Sequence, residues 1–572
     1  MRPIPRRLFL QYCLFGLGMP LLPRCSSPSP KPSVFDIQGK VVGEPSGIGH
    51  LVRQPLAETL IPPPTGKRHT AIIIGGGVSG VSAGWKLARS GVTDFVILDL
   101  GNQLGGTSIS GQVGNGIAFP WGAHYINTPP MEADCILEVL EDLQVVVDYT
   151  PLGWPIMNPD YILREPAERL FIENRWVDNL DPFSTGTQED YEAFQEFQTD
   201  MLRWSLHRGA DQRRAFTLPL EYSSVDTEVR ALDKITMREY MRQKGWNSER
   251  LDWFVNYGCR DDYACPIDEV SAWAGIHYYA CRYYADQLQD RFPVHTVTWS
   301  EGNAFLVNGM AQRLSSANVR LNALVLSVRQ SRLVEDSRFA EQGDEVHVTY
   351  MDTQTRQFTT LRGQTAIYAG QKHITNHIIL NLPDDQKIAF QECQYTPWLT
   401  GSIHLKRPPQ TKQSRLAWDN VMYESEGLGY IVAEHQTPDA ADGEGPSVLT
   451  YYLPFDREPD IKRRELLDKG HDFWTNQIMK DLWEMHPGIE KDITRIDLYK
   501  WGHAMIRPTP NFIWHPDRAL RGRPFGKIFF ANADVTGLPL FEEACYSGIR
   551  AAQGAMDALR IPYANSIQGG VH

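Results

Sequence analysis

Six residues between two apolar runs have the spacing to cradle a phosphate. Ala71-Ile72-Ile73-Ile74 opens into Gly75-Gly76-Gly77-Val78-Ser79-Gly80, and a later apolar run ends in Asp99. Gly75 permits a tight turn, Gly77 lets backbone amides approach a pyrophosphate, and Gly80 lets the following helix lie close to the strand. The helix N-terminus then faces the anion. Asp99 sits where a carboxylate takes the ribose hydroxyls. A second glycine turn follows in Leu104-Gly105-Gly106-Thr107-Ser108, then Trp121-Gly122-Ala123-His124-Tyr125. Gly105 and Gly106 offer amides where any side chain would clash with a phosphate or a ring.

Further along stand groups able to move protons or bind charge. Lys387, ahead of Ile388-Ala389-Phe390, is either a catalytic lysine or an exposed lysine after a Pro-Asp-Asp turn; Lys372 is its rival. In Trp501-Gly502-His503-Ala504-Met505, Trp501 can wall a planar ring, and His503, titrating near neutrality, can relay a proton. The alternative is a packed Trp with a satisfied His. Arg260-Asp261-Asp262-Tyr263 and Ser271 to Tyr279 concentrate polar and aromatic groups. Paired aspartates can bind an ammonium group, or cap a helix and pair with an arginine. His373 and His377 share a helical face at i, i+4, but no Glu accompanies them as in a zinc protease, so no metal site is expected.

The elements that carry these groups follow from periodicity. The Ala71–Ile74 run and the later apolar run that ends in Asp99 read as strands flanking a helix from Val81 to Arg89. Ile136, Val139, Leu140 and Leu143 repeat at helical spacing, and the region to about Gln289 reads as mostly helical. Alternation returns at Leu321–Val328 and Glu345–Tyr350. Ile378-Ile379-Leu380-Asn381-Leu382-Pro383 reads as a buried strand with a turn, and 437–446 as a surface loop. Lys462 to His486 reads as one long helix stopped by Pro487. Ile528-Phe529-Phe530-Ala531 reads as a last strand leading into a helix from about Phe541. Residues 26–35 and Pro62-Pro63-Pro64 read as extended linker.

A chain of 572 residues with 42% apolar content buries a large core and divides into domains. The net charge of −13, with no interior Lys/Arg cluster, excludes a nucleic-acid partner and leaves a small-molecule substrate. The eight cysteines show no zinc or CxxC spacing, and Cys259 and Cys265 are read as free thiols. Arg6-Arg7, followed by Leu8-Phe9-Leu10 and an apolar stretch to Leu22, resembles a twin-arginine export signal. That resemblance implies the twin-arginine machinery as partner and a bacterial periplasmic location. Cys25 is a lipidation candidate, and an uncleaved membrane tether is the equal alternative. The oligomeric state is left open.

The order of these motifs resembles the FAD-dependent amine oxidase superfamily, which also holds protoporphyrinogen oxidases and phytoene desaturases. Three further stretches carry the resemblance. Gly302–Val328 looks like the segment whose valine backbone holds adenine, here Val325. His377–Phe390 looks like the strand returning to the flavin domain. Phe529–Ala552 looks like the C-terminal flavin motif, with Ala531, with Asp534 in place of the usual Glu, and with Glu543-Ala544 at a helix N-terminus facing the flavin. Thr107 departs from the family's Gly-Gly-Arg turn, Leu540 stands beside Phe541 where an aromatic cage residue is common, and no counterpart of the covalent flavin cysteine is evident. The resemblance implies noncovalent FAD and an α/β fold. A doubly wound FAD-binding (Rossmann-like) domain would interleave with an α+β substrate domain. The expected division is an export signal or anchor over 1–25, a linker over 26–68, FAD-binding segments over 69–130, 291–390 and 501–562, substrate-domain segments over 131–290 and 391–500, and a tail over 563–572. The implied reaction is hydride abstraction by FAD from a carbon next to nitrogen, with reoxidation by O2 or another acceptor, with Lys387 holding a water near the flavin, and with a base or apolar pocket for the neutral amine expected near Lys387, His503 or Tyr125. Desaturation or porphyrinogen-type dehydrogenation of a larger apolar molecule, and a non-enzymatic flavin-binding or electron-transfer role, are the alternatives.

Overall fold

In the computed structural model the described residues are 34–43, 46–54, 56–114, 116–282, 294–331, 345–409, 416–437 and 445–567. The Arg6-Arg7 signal, Cys25 and most of the 437–446 loop lie outside them. Among the described residues no helix is long and apolar enough to cross a membrane.

Two sheets organise the molecule. The first is seven-stranded and takes its strands from the beginning, the middle and the end of the chain. Arg68–Ile74 lies at its centre, parallel to Phe95–Leu98 on one side and to the second half of Phe358–Tyr368 on the other. Ile528–Phe530 adds in parallel to that same half, and Ala323–Gln330 and Val346–Asp352 complete an antiparallel extension. Register places Ile74 opposite Leu98 and Tyr368, and Tyr368 opposite Phe530. Four parallel strands therefore end level with one another, which is the edge where α/β sheets bind ligands.

Helices Val78–Arg89 and Phe541–Leu559 cover one face of this sheet. They touch at backbone distance, since a Cβ on Gly548 would lie 2.1 Å from the Ser79 carbonyl oxygen. The second sheet is eight-stranded, with Tyr395–Leu405 and Ile493–Ile506 as its long central strands. A helical layer containing Gln188–Leu206, Glu249–Tyr263 and Ala272–Ala280 packs around Phe197, Trp204, Trp273 and Ile276. The mixed α/β class agrees with expectation, and strands drawn from three separated chain segments build the dinucleotide-binding sheet.

Several local expectations are corrected. Lys372–Ile378 and Asp384–Gln391 are helices, so 377–390 holds no strand beyond a single bridge between Ile379 and Val328. Its apolar run is buried by helix packing against Ala323–Gln330, a choice that short apolar runs leave undecided. The long helix over 462–486 is two, Pro459–Asp468 and His471–Met485, because Lys469 and Gly470 are extended. The region 131–290 contains the strands Val146–Tyr149, Pro155–Met157, Glu168–Ile172 and Arg175–Asp178 beside its helices. A boundary at 500/501 would cut the continuous Ile493–Ile506 strand. From Phe35 onward the expected linker is packed structure: Val41–Val42 pairs with Ile493–Ile506, and Val52 is buried in the core of the first sheet.

The helical layer also fixes how the fold responds to acid. His277 is fully buried between the Tyr263 hydroxyl and the Thr217 carbonyl, and burial, then Arg282, pushes its pKa to about 3. His486, hydrogen-bonded to Tyr430, is pushed to about 3 by burial and then by Arg169. An imidazole whose folded-state pKa lies below the unfolded value of 6.5 takes up its proton only on unfolding. Their stabilising effect is complete above pH 6.5 and is lost as pH falls toward 3. At pH 5 each costs about 2 kcal/mol relative to neutral pH. The melting temperature is expected to fall by several degrees between pH 7 and pH 5, and a flat profile by calorimetry would contradict this account.

Candidate active site

The phosphate turn sits on the level edge of the first sheet. Gly80 is required by packing alone, since a Cβ there would lie 1.8 Å from the Gly75 carbonyl oxygen. Gly77 is different. The nearest atom to a Cβ at Gly77 is the Gly106 Cα at 3.7 Å, so nothing in the protein demands a glycine. Its bare backbone, at the start of the Val78–Arg89 helix, leaves open space beside free helix-end amides. Gly105 is drawn against the turn by its amide, which donates to the Gly76 carbonyl at 2.8 Å. Asp99 accepts from the Gly76 amide at 2.5 Å and the Gly101 amide at 2.7 Å, and burial raises its pKa.

Two cavities meet at this turn. Gly75, Asp99, Gly106 and Val325 line the first, and Thr107, Gly122, Ala123 and Tyr125 line the second. Gly106 and Thr107 are consecutive, so a dinucleotide laid over the turn would have one half in each cavity. Val325 stands at a bulge in its strand.

The second cavity is a cleft walled by aromatic and aliphatic side chains with a few polar groups among them, the character of a small-molecule site. Register between the strands Tyr395–Leu405 and Ile493–Ile506 sets Trp398 opposite Trp501. Trp501 stacks on Tyr499 with ring centroids 3.9 Å apart and donates its indole N–H to the Trp121 carbonyl at 3.1 Å. The Tyr452 hydroxyl donates to the Gly122 carbonyl at 2.9 Å. His124 is packed among Tyr125, Trp418 and Tyr452.

Charge enters from the helical layer. The Tyr125 hydroxyl donates to Asp261 at 3.0 Å and Asp262 at 3.3 Å. Asp262 pairs with Arg282 at 2.7 Å, both side chains being 4% exposed. With Asp419 and Glu542, the described lining holds four carboxylates against the single guanidinium of Arg282. Two orphan groups also face the cleft: the Asn303 side-chain carbonyl oxygen and the Trp398 indole N–H are buried without partners. The Asn303 amide group is meanwhile held by the Tyr125 carbonyl. An acceptor and a donor left bare in an aromatic cleft suit the polar edges of a flavin.

The structure thus sets Gly75, Asp99, Gly106 and Val325 on the first cavity and Thr107, Gly122, Ala123, Tyr125 and Trp501 on the second, with Gly77, Gly80 and Gly105 in the turns between them. Others it places elsewhere. Lys387 lies on the Asp384–Gln391 helix, 42% exposed and paired with Asp384 at 2.9 Å, away from the cleft. Replacing Lys387 with Met should leave the rate of flavin reoxidation within about twofold of wild type in stopped-flow absorbance, as for an exposed pair; a tenfold loss would return it to the site.

His503 faces the first cavity, not the cleft. It stacks on His373 at 4.4 Å, and burial followed by that imidazole drives its pKa to about 2. It therefore does not line the cleft in which the proton relay was expected. Glu543 is fully buried and accepts from the Leu220 amide at 2.6 Å, and burial raises its pKa to about 7. Ala544 accepts from the Ser79 hydroxyl. It is instead Pro539 to Glu542, at the start of the same helix, that face the cleft.

Asp534 lines neither cavity; it accepts from the Lys372 amide at 2.9 Å and the Tyr395 hydroxyl at 2.5 Å. Lys372, buried, donates to the Ala531 carbonyl, and burial lowers its pKa to about 8. This network ties the exits of two strands together. No group of metal ligands occurs among the described residues, and the six described cysteines are free. Trp398, Tyr452, Asn303 and Arg282 were not singled out by the sequence. Only strand register and helix packing bring them in.

The model of a family described as flavin containing amine oxidoreductase matches residues 78–556. Among solved structures, putrescine oxidase bound to putrescine aligns with a TM-score of 0.62 at 14% identity, covering 86% of this chain and 99% of that one. Cyclohexylamine oxidase from Brevibacterium oxydans gives 0.60 at 15% identity, with 86% and 100% covered. A CLA-producing fatty acid isomerase from P. acnes gives 0.57 at 16% identity, with 86% and 99% covered. At such identities the likeness is one of fold. No curated protein sequence matches the chain.

Proposed function

This chain belongs to the flavin-containing amine oxidoreductase family and is an FAD-dependent oxidoreductase, and from that premise we propose that it oxidises an amine at the carbon next to nitrogen. The observation that carries the reading is the charge of the cleft: Asp261, Asp262, Asp419 and Glu542 outnumber Arg282 within aromatic walls. Such a cleft draws in a cation and presents it to a flat ring.

FAD, held noncovalently in the two cavities, would supply the hydride acceptor and would pass its electrons on to O2 or another acceptor. The chain supplies the rest. Gly77 and Gly106 give room for the phosphates, Asp99 stands at the ribose, and Trp501 walls the ring. Tyr452 and Trp398 exclude water, which favours the neutral amine whose lone pair assists the reaction. Tyr125 Oη has a lone pair for the ammonium proton while it passes its own proton to Asp261 Oδ2, 3.0 Å away.

A second reading draws on the apolar side of the same cleft, where Leu428, Ile431, Met505, Leu540 and Phe541 gather. That surface suits desaturation or dehydrogenation of a larger apolar molecule. Anaerobic titration of the flavin absorbance with amines, polyenes and porphyrinogens separates the two. Bleaching by an amine supports oxidation at C–N. Bleaching by an apolar compound alone favours the second reading, and bleaching by dithionite alone favours a flavin-binding or electron-transfer role. Replacing Asp261 with Asn should raise the KM for a cationic amine about tenfold while sparing a neutral substrate; equal changes for both would remove the charge argument. We also propose, on the N-terminal signal, that the protein is exported to the periplasm in folded form.

A further inference from the structure

The strap Phe35–Thr65 precedes the family-matched segment and spans both sheets. At one end, Gln38 and Lys40 carbonyls accept from the Ile496 and Leu498 amides at 2.9 Å, and a Cβ on Gly39 would lie 1.7 Å from the Ile496 carbonyl oxygen. At the other, Glu58 takes both guanidinium nitrogens of Arg329 at 3.1 and 2.7 Å. Between these anchors Val52 enters the core of the first sheet, and the turn His50–Arg53 packs on the Lys372–Ile378 helix. The strap is a wall of the first cavity: Gly49, His50 and Arg53 line it together with Gly75, Asp99 and Gly106.

The charges facing that cavity do not balance. Arg53 makes no ion pair or hydrogen bond among the described residues. Lys500 is held by the Lys469 and Leu467 carbonyls. His50, His373 and His503 are biased toward the neutral form by burial, with Arg53 a further cause for each. Asp99, the one carboxylate among the described residues of the lining, turns its oxygens to the Gly76 and Gly101 amides. A guanidinium without an anion at the mouth of a phosphate turn lacks a partner that a diphosphate would supply.

We propose that the strap is a built part of the cofactor site and that Arg53 holds the phosphate-bearing adenosine half of FAD. The proposal rests on FAD occupying the joined cavities. No side chain of the Gly75–Gly80 or Gly105–Thr107 turns carries positive charge, so Arg53 supplies from outside the sheet what those turns lack.

The test uses purified holoprotein and the rise in flavin fluorescence as FAD is released after dilution, at low and high salt. Arg53→Gln should release FAD about tenfold faster than wild type at low salt, with the gap closing at high salt as the charge is screened. Arg53→Lys, which keeps the charge but not the fork, should fall between them. Should Arg53→Gln fail to fold, Arg53→Lys and the salt dependence of wild-type release carry the test: release that is insensitive both to salt and to Arg53→Lys overturns the proposal. Wild-type release rates in Arg53→Gln at low salt overturn it as well, and leave the FAD reading intact. A wild-type protein that retains no FAD under any condition overturns both.

Discussion

Gly77→Val is expected to yield a folded but colourless protein. A Cβ at this position meets no protein atom closer than the Gly106 Cα at 3.7 Å, so the apoprotein should keep its secondary structure and its melting transition within a few degrees of wild type stripped of flavin. The same side chain occupies the space in which the phosphates approach the helix-end amides, and flavin should be lost almost entirely, with a fall in affinity of about 1,000-fold or more. Absorbance of the purified variant, with circular dichroism as the folding check, reads both outcomes. A yellow, fully loaded Gly77→Val protein would sink the phosphate-turn assignment. Gly80 makes the contrast: a Cβ there collides with the Gly75 carbonyl, so its substitution should damage the fold itself.

The second large effect is expected at Tyr125. Tyr125→Phe removes the hydroxyl that links the cleft to Asp261 and Asp262 but keeps the ring among His124 and Trp418. Flavin binding should be unchanged. The rate of anaerobic flavin reduction by an amine should fall about 100-fold, the usual scale for loss of a positioned proton acceptor. The rate should also become steeper with pH, since the amine must then lose its proton to solvent before it binds productively. Reduction within threefold of wild type, with an unshifted pH profile, would reduce Tyr125 to a wall of the cleft.

These two positions show what the sequence could and could not reveal. The phosphate turn is legible because its demands are local: Gly75, Gly77, Gly80 and Asp99 lie within one strand–helix–strand unit, and each type answers a constraint set by its near neighbours. Tyr125 was legible as a candidate because it follows the Gly122 turn, and Trp501 because a Trp near the last strand can wall a ring. Arg282 and Trp398 were not, since their place depends on pairing with a helix 20 residues away in sequence and on a cross-strand register. His503 misled because its titration is set by burial against His373, which no spacing discloses. Lys387 misled in the opposite sense: its local sequence fits a cofactor-facing lysine, but the helix Asp384–Gln391 turns it to solvent. Arg53 lay in a stretch whose prolines read as linker, and only pairing with Ile493–Ile506 shows that the chain there is anchored.

The sheet that carries the phosphate turn has one further consequence, for the order of biosynthesis. Its Arg68–Ile74 strand emerges from the ribosome early, yet the strand Ile528–Phe530 and the helix Phe541–Leu559, which closes over Ser79, are made last. Until translation is nearly finished, the turn has neither its covering helix nor its final neighbouring strand. Firm capture of the flavin is therefore expected late in synthesis. A nascent chain stalled or cut short before Ile528 would carry the phosphate turn but lack the helix start, Pro539 to Glu542, that lines the cleft.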